Sequence, residues 1–223
     1  LFDIDGTLLS CDPQVRPIFA SALTDVFGTA GALENYDFAG KTDPSIVLEL
    51  MASAGLSRHE VLPRLGEVRA IYERRLAERL DPSKMTLLPF VVELLDRLTA
   101  RGERGDIGLG LLTGNWAPCA QIKLAAFDLN RFFPFGAFGC DGIDRAELPP
   151  VALERARERY GRTFRSDEVW IVGDSRHDVA CARAHGIPSL AVATGRATTA
   201  DLLAAGADRV MEDLRDAEAV LCD

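Results

Sequence analysis

The chain has 223 residues, 48% of them hydrophobic and 26% charged, which is enough to bury a substantial core. Its 25 Lys and Arg against 34 Asp and Glu give a net charge of −9 at pH 7, which argues against nucleic acid or anionic lipid as a partner. No apolar run approaches the roughly 20 residues of a membrane helix. The five cysteines are scattered without a C-x-x-C pair, which argues against a disulfide framework and structural zinc. We therefore expect a cytoplasmic protein with no nucleic-acid or membrane partner, and the sequence carries no signal for its oligomeric state.

The opening stretch 1–9 carries two carboxylates, Asp3 and Asp5, followed at once by a Gly-Thr pair. Two carboxylates this close repel each other unless a cation lies between them, and Mg²⁺ is a hard cation that carboxylate oxygens bind. Gly6 lets main-chain N–H groups approach a phosphate. Without its context the stretch is also compatible with a solvated turn. Because a buried parallel strand usually has about 5 residues, we expect several apolar residues ahead of Leu1 in the gene product.

Residues 12–84 have the apolar spacing of helices. Apolar residues three and four positions apart predict helices over 12–28, 44–55 and 57–80, the last with a Ser-Glu capping box at its start. Asp81-Pro82-Ser83 follows as a hinge. We therefore expect an all-helical unit here.

From residue 85 onwards, helical patterns alternate with short apolar runs, which is typical of a parallel sheet flanked by helices. The predicted strands are 107–112, 169–172, 189–193 and 209–211. The predicted helices are 89–99, 118–127, 150–160, 178–184, 199–205 and one at the end of the chain. The expected fold class is α/β, with a Rossmann-like parallel sheet core formed by residues 1–11 and 85–223 and an inserted all-helical cap domain at 12–84.

In right-handed β-α-β units all strands point the same way, so the residues that directly follow each strand lie along one edge of the sheet. Ligands of open α/β sheets bind at that edge. Asp3 and Asp5, the segment Thr113-Gly114-Asn115 and the segment Gly173-Asp174-Ser175 are therefore expected to meet. Carboxylates and a hydroxyl there suit Mg²⁺. A dinucleotide or P-loop site is disfavoured, because neither glycine fingerprint follows a strand.

Three segments carry a resemblance to a known family. The stretch Asp3-Ile4-Asp5-Gly6-Thr7 resembles the first motif, D-x-D-G-T, of the haloacid dehalogenase (HAD) superfamily. The segment 111–115 resembles its second motif, a strand ending in Ser or Thr, and the segment 173–178 resembles its fourth, G-D-x-x-x-D. The helical insertion lies where the family has a cap, and Gly40-Lys41-Thr42-Asp43 is similar to a cap segment of phosphoglycolate-phosphatase-like members.

The resemblance implies a role for each matching residue. Asp3 would attack a phosphoryl group, Asp5 would protonate the leaving group and then activate water, and Thr113 would bind the transferring phosphoryl oxygen. It implies substrate contacts from Gly6, Thr113, Gly114, Asn115 and Lys41. It implies Mg²⁺ as the cofactor, with the metal ligands Asp3, Asp5, Asp174 and Asp178.

The third motif of the family departs from its usual form. That motif is a Lys or Arg, commonly followed by Pro, and the register here reads Glu147-Leu148-Pro149-Pro150. A cation is still required, because an aspartyl phosphate and its transition state carry charge that one Mg²⁺ does not fully offset. Arg145 is our candidate for this catalytic cation, and Lys123 and Arg176 are the alternatives.

The acid at Asp5 separates phosphoryl transfer from dehalogenation, because the dehalogenases of the superfamily lack it. We expect a Mg²⁺-dependent phosphatase that hydrolyses a small phosphorylated metabolite, a phosphate monoester, through an aspartyl phosphate. A phosphomutase similar to β-phosphoglucomutase would use the same residues and remains an alternative. A further alternative is a protein that is not an enzyme of this kind, either a phospho-accepting regulator or a catalytically degenerate binding protein.

Overall fold

The computed structural model describes residues 1–102 and 107–222. Asp223, the last residue of the predicted core domain, lies outside the described residues. Within the described ranges, no helix combines the length and the apolar character needed to cross a bilayer.

The insertion is helical, as predicted. Helix α1 spans Val15–Phe27 and ends at Gly28, whose φ of 76° permits the left-handed cap. Helix α2 spans Asp43–Ser53, α3 spans Arg58–Val61 and α4 spans Leu65–Arg79. The prediction of one helix over 57–80 is wrong. A 3₁₀ turn at Leu62–Arg64 separates α3 from α4, because Pro63 has no N–H to donate within the helix.

These helices share a hydrophobic core. Its buried side chains include Phe19, Leu23, Val47, Leu50, Met51, Val68, Tyr72 and Leu76. Trp116 and Cys119 belong to the same cluster, although they lie outside the insertion, just after β3 in the chain. Apolar burial therefore seats the helical cap directly on the α/β part of the molecule. The domain boundaries at residues 12 and 84 stay a prediction.

A short antiparallel pair lies where the chain enters and leaves the insertion. Strand β1, Leu9–Ser10, pairs with β2, Thr86–Leu87, in the register Leu9 to Leu87 and Ser10 to Thr86. Neither strand was predicted, because two residues are too few to show an alternating pattern.

The remaining strands form a parallel sheet. They are β3 at Leu111–Leu112, β4 at Gly136–Ala137, β5 at Ile171–Gly173, β6 at Ser189–Val192 and β7 at Arg209–Met211. β3 pairs with β4, and β6 lies between β5 and β7. Phe2 bridges Leu111 on one side and Val172 on the other, so the opening stretch is the strand at the centre.

One strand prediction needs correction, and one strand was not predicted. The strand predicted over 107–112 is confined to Leu111–Leu112. The aromatic passage 132–138, for which no strand was predicted, contains β4. Gly136 and Ala137 have low strand propensity, so only their pairing with β3 makes them a strand.

Helices flank the sheet in the predicted alternation. They are α5 at Val91–Gly102, α6 at Ala117–Ala125, α7 at Leu148–Tyr160, α8 at Arg176–Ala184, α9 at Thr199–Ala205 and α10 at Ala217–Leu221. The expected fold class, a Rossmann-like α/β core with a helical cap, is confirmed.

Candidate active site

Three buried carboxylates meet at the carboxyl ends of the central strands. Asp3 follows the Phe2 strand, Asp174 follows β5, and Asp178 lies in the first turn of α8. Each contributes one carboxylate oxygen to a group whose atoms all lie within 4.8 Å of one another. The sequence prediction that acids from distant segments converge at this edge agrees with this geometry.

The electrostatics of these acids call for a cation. Burial raises the pKa of Asp174 to about 8, and the neighbouring Asp178 and Asp3 add to the rise. Burial also raises the pKa of Asp3 to about 6, although the Arg145 guanidinium opposes that rise. Three carboxyl groups with oxygen ligands only, partly offset by one guanidinium, have the chemistry of a site for a hard divalent ion. The residues present therefore fit a metal.

Glycines let two loops approach Asp174. Gly6 has a φ of +83°, and a Cβ at this residue would lie 2.3 Å from Asp174 Oδ2. A Cβ at Gly195 would lie 1.7 Å from the same oxygen. Since real Cβ atoms do not come this close to a carboxylate, a larger residue at either position would displace the Asp174 side chain.

Asp5 lies outside the group of three acids. Its Oδ2 accepts a hydrogen bond of 2.8 Å from Asn115 Nδ2 and one of 2.6 Å from Lys123 Nζ. The Asn115 amide also donates to Thr113 Oγ1 at 2.8 Å. A polar chain thus links Asp5 to the end of β3, as the sequence predicted for Thr113 and Asn115.

Lys123 is the buried cation on this side of the site. Burial alone would lower the pKa of Lys123, but the Asp5 carboxylate outweighs burial and raises that pKa well above its usual value. Lys123 also donates to Asn115 Oδ1 at 2.6 Å. The sequence named it only as an alternative to Arg145. The sequence feature that could have identified it is its position in α6, which starts two residues after Asn115.

Arg145 lies against the three acids. Its Nη2 donates to Asp178 Oδ1 at 2.5 Å and lies 3.3 Å from Asp3 Oδ2. The same nitrogen bonds the carbonyl of Leu112 at 3.1 Å. Arg145 precedes α7 in a 3₁₀ turn, which carries its side chain to the ends of β3 and the Phe2 strand. The third candidate, Arg176, is exposed.

The cap meets the site through the segment that ends at Asp43. The Asp43 N–H donates to the carbonyl of Gly114 at 2.8 Å, and its Oδ2 accepts from the N–H of Trp116 at 2.8 Å. Burial raises the pKa of Asp43 to about 7. We did not predict Asp43 as a site residue. The sequence feature that could have identified it is its place in the Gly40-Lys41-Thr42-Asp43 segment.

Lys41 reaches the site with its main chain. A Cβ at Gly114 would lie 2.0 Å from the carbonyl oxygen of Lys41. The ammonium of Lys41 bonds Glu49 Oε2 at 2.5 Å and Tyr36 Oη at 2.9 Å. Its contact with substrate stays a prediction.

A cavity of about 280 Å³ lies between the sheet edge and the cap. The predicted site residues that line it are Asp3, Asp5, Gly6, Lys41, Thr113, Gly114, Asn115, Arg145 and Asp174. Asp178 contacts Arg145 and does not line the cavity. The cap contributes apolar and aromatic side chains, among them Phe19, Phe38 and Tyr72, together with the charged residues Asp12, Arg16, Lys41 and Asp43.

Comparison with known proteins agrees with this site. A family model described as HAD-hydrolase-like matches residues 147–217. The phosphoglycolate phosphatase of Escherichia coli (strain K12) is 30% identical over 210 residues, which cover 87% of this chain and 80% of that protein. The plasmid phosphoglycolate phosphatase of Cupriavidus necator is 28% identical over 229 residues, which cover 99% of this chain and 91% of that protein.

A solved structure supports the fold. The crystal structure of a predicted phosphatase from Clostridium acetobutylicum aligns with a TM-score of 0.73 at 17% identity, covering 99% of this chain and 95% of that one. The overall architecture, including the helical cap, is therefore shared with a solved phosphatase-like structure. The family-model match and the 30% identical relative show that the chain belongs to the HAD-like hydrolase family and is a phosphatase enzyme.

Proposed function

We propose that this enzyme is a Mg²⁺-dependent phosphatase that hydrolyses a small phosphate monoester through an aspartyl phosphate on Asp3. The observation that carries the proposal is the close group of Asp3, Asp174 and Asp178, with one oxygen of each within 4.8 Å of the others. Asp3 and Asp174 line a cavity that is also lined by Asp5 and Thr113. Phosphoryl transfer needs charge compensation and positioning more than any other contribution from the protein. In this proposal the arrangement supplies both the charge compensation and the positioning.

In this proposal Asp3, Asp174 and Asp178 hold the metal. Bound Mg²⁺ would supply positive charge to the phosphoryl oxygens and to the Asp3 carboxylate. The oxygen-only donor set supports Mg²⁺ over softer ions. A contact between Asp5 and the metal stays a prediction, because the Asp5 carboxylate bonds Asn115 and Lys123.

Asp3 and Asp5 divide the chemistry between them. A carboxylate oxygen of Asp3 attacks phosphorus, and the bond from phosphorus to the leaving oxygen breaks as Asp5 gives that oxygen a proton. Asp5 then takes a proton from water, which attacks the phosphorus of the aspartyl phosphate and restores Asp3. Asp5 is 42% exposed and anchored through Oδ2 alone, which supports a proton-transfer role at the cavity.

The phosphoryl group is held by neighbouring polar groups. Thr113 and Asn115 offer a hydroxyl and an amide at the end of β3, and Gly6 and Gly114 let the main chain approach Asp174 and the cap segment closely. In this proposal Arg145 compensates charge beside Asp3, and Lys123 compensates charge beside Asp5. Phosphoglycolate, named in the relatives, is one monoester to test.

The test is Asp3→Asn, assayed with p-nitrophenyl phosphate and Mg²⁺. Asn has the shape of Asp but is not a nucleophile, so we expect turnover to fall by at least about 10³ with the fold intact by circular dichroism. The matched control is Asp96→Asn, the same change on the exposed face of α5. Turnover of Asp3→Asn within tenfold of the wild type would refute the proposal.

Product analysis separates hydrolysis from the mutase alternative. Free phosphate released from a sugar phosphate supports the phosphatase. Transfer of the phosphoryl group to a second sugar hydroxyl, without free phosphate, would support a mutase. The cytoplasmic location stays a prediction.

A further inference from the structure

Tyr72 connects the cap to the core beside the cavity. It lies in α4 of the cap, lines the cavity and is 1% exposed. Its ring packs against Phe19 of the cap, with centroids 4.9 Å apart, and against Trp116 of the core, with centroids 6.1 Å apart. Because the ring is packed from both parts of the molecule, the direction of its hydroxyl group is fixed by the fold.

The hydroxyl of Tyr72 lies on the charged side of the cavity. Burial raises the pKa of Tyr72 well above its ordinary value, and nearby charges act on the same hydroxyl, with Lys123 opposing the rise and Asp43 and Asp5 adding to it. All three of these side chains line the cavity. The hydroxyl therefore keeps its proton at neutral pH and can donate a hydrogen bond there.

No residue in the ranges 1–102 and 107–222 forms a hydrogen bond with the Tyr72 hydroxyl. Other polar side chains of the cap on this cavity differ, since Arg16, Lys41 and Asp43 each bond a protein group. A buried tyrosine hydroxyl usually has a partner, because a buried donor without one is unfavourable. The partner of this hydroxyl is therefore expected among the molecules that enter the cavity.

We propose that Tyr72 is a substrate-binding residue whose hydroxyl donates a hydrogen bond to an oxygen atom of the leaving group. The inference rests on the proposed function, because the leaving group is the part of the monoester that extends from Asp3 and Asp5 towards the cap. It deepens that function by naming a substrate class, monoesters whose leaving group carries a hydroxyl, ether, carbonyl or carboxylate oxygen. The ester of a hydrocarbon alcohol would leave the Tyr72 donor unpaired.

Matched substrates test for this hydrogen bond. One pair is 2-methoxyethyl phosphate and butyl phosphate, and the other is the carboxamide of phosphoglycolate and isobutyl phosphate. Within each pair the leaving groups have nearly the same size, and only the first member carries an oxygen acceptor. The measured quantity is the ratio of kcat/KM within a pair, with Mg²⁺ present. Comparing this ratio between the wild type and a variant cancels the intrinsic reactivity of the two esters.

Tyr72→Phe removes the hydroxyl and keeps the ring. We expect the ratio to fall by about fivefold or more in at least one pair, which is the effect of one hydrogen bond. The fall should come from the oxygen-bearing ester, whereas the hydrocarbon ester should be hydrolysed as well as by the wild type or better. A change below about twofold in both pairs would overturn the inference, and so would equal losses for both members of each pair.

Tyr160→Phe is the matched control. It is the same change on α7, at a residue that is 38% exposed and does not line this cavity. Both ratios should stay as in the wild type.

The stability of Tyr72→Phe without substrate is a second measurement. Because the change removes no hydrogen bond within the protein, the free energy of unfolding in urea should equal that of the wild type or exceed it. A clear loss of stability would show that the hydroxyl has a partner in the folded protein and would contradict the inference.

The two proposals fail in different ways. If the wild type releases phosphate from these esters and Tyr72→Phe leaves both ratios unchanged, only the inference is wrong. If the wild type releases phosphate neither from these esters nor from p-nitrophenyl phosphate with Mg²⁺ present, the proposed function is wrong and the inference falls with it.

Discussion

Arg145 and Lys123 supply the two buried positive charges of the site, and each can be tested by removal. We expect Arg145→Met and Lys123→Met each to lower kcat by about 10² or more, because each leaves developing negative charge uncompensated. Arg145→Lys should retain more activity than Arg145→Met. The control is Arg159→Met on the exposed side of α7. Near-normal kcat in Arg145→Met, measured with saturating substrate, would leave Lys123 as the compensating cation.

Asp43 makes stability depend on pH. Its pKa is about 7 in the folded protein but about 4 in an unfolded chain. Between these values the folded state keeps a proton that the unfolded state has lost, so the contribution of Asp43 to the free energy of unfolding falls as the pH rises from about 4 to about 7. Above pH 7 this unfavourable contribution is fully present.

Asp43→Asn removes that contribution. Relative to the wild type, the variant should be more stable at pH 8 than at pH 5, by at most about 3 kcal/mol, because about two of the three pH units between the pKa values lie above pH 5. Urea unfolding at both pH values measures the difference, and Asp96→Asn should show none. The same difference from the wild type at both pH values would mean that Asp43 ionises normally in the folded protein.

At the scale of elements, the loop after β3 touches the cap segment main chain to main chain. Gly114→Ala would place a Cβ 2.0 Å from the Lys41 carbonyl oxygen and 2.8 Å from Thr42 Cα. Because the cap would be pushed away from the floor of the site, we expect kcat/KM to fall by at least about tenfold. Wild-type kcat/KM would show that this close approach is not needed.

Gly66→Ala is the matched control for that variant. Gly66 lies in α4, and a Cβ there has nothing within 4 Å. Alanine favours a helix over glycine by about 1 kcal/mol, so this variant should keep its activity and unfold at the same temperature as the wild type or higher.

How much the sequence predicts depends on the length of the element. The helices over α1 and α2 were predictable because their apolar residues repeat over several turns, whereas the pair β1 and β2 is too short for any period. Pro63 was visible in the sequence, but the apolar repeat on both sides of it suggested one continuous helix. β4 depends on its pairing with β3, which no local pattern contains.

The site residues could be predicted from the sequence where the topology of the sheet determines their positions. Asp3 and Asp174 directly follow strands, so the direction of the sheet brings them together. Lys123 and Asp43 lie on helices, and their contact with the site depends on which helix face turns towards the sheet edge and on how the cap sits. A repeat pattern identifies an apolar face but does not place one polar side chain within it.

For the molecule as a whole, metal binding should stabilise the fold. A ligand that binds only the folded state raises stability by about 2.7 kcal/mol at a concentration 100 times its Kd. We expect millimolar Mg²⁺ to raise the Tm of the wild type, and chelation to reverse the rise. Asp174→Asn should lose most of the effect, whereas Asp96→Asn should keep it. If Mg²⁺ does not change the Tm of the wild type, this would argue against a metal ion bound by these acids.

The central position of the opening strand also determines when the enzyme becomes active during its synthesis. Phe2 pairs with Leu111 and Val172, and the N–H of Asp3 bonds the carbonyl of Val172. A nascent chain still lacking β5 has no acceptor for the N–H of its nucleophile, although the residues of the cap have already been synthesised. Ribosome-bound intermediates should therefore lack hydrolytic activity, and the activity should appear only once the last third of the polypeptide has emerged.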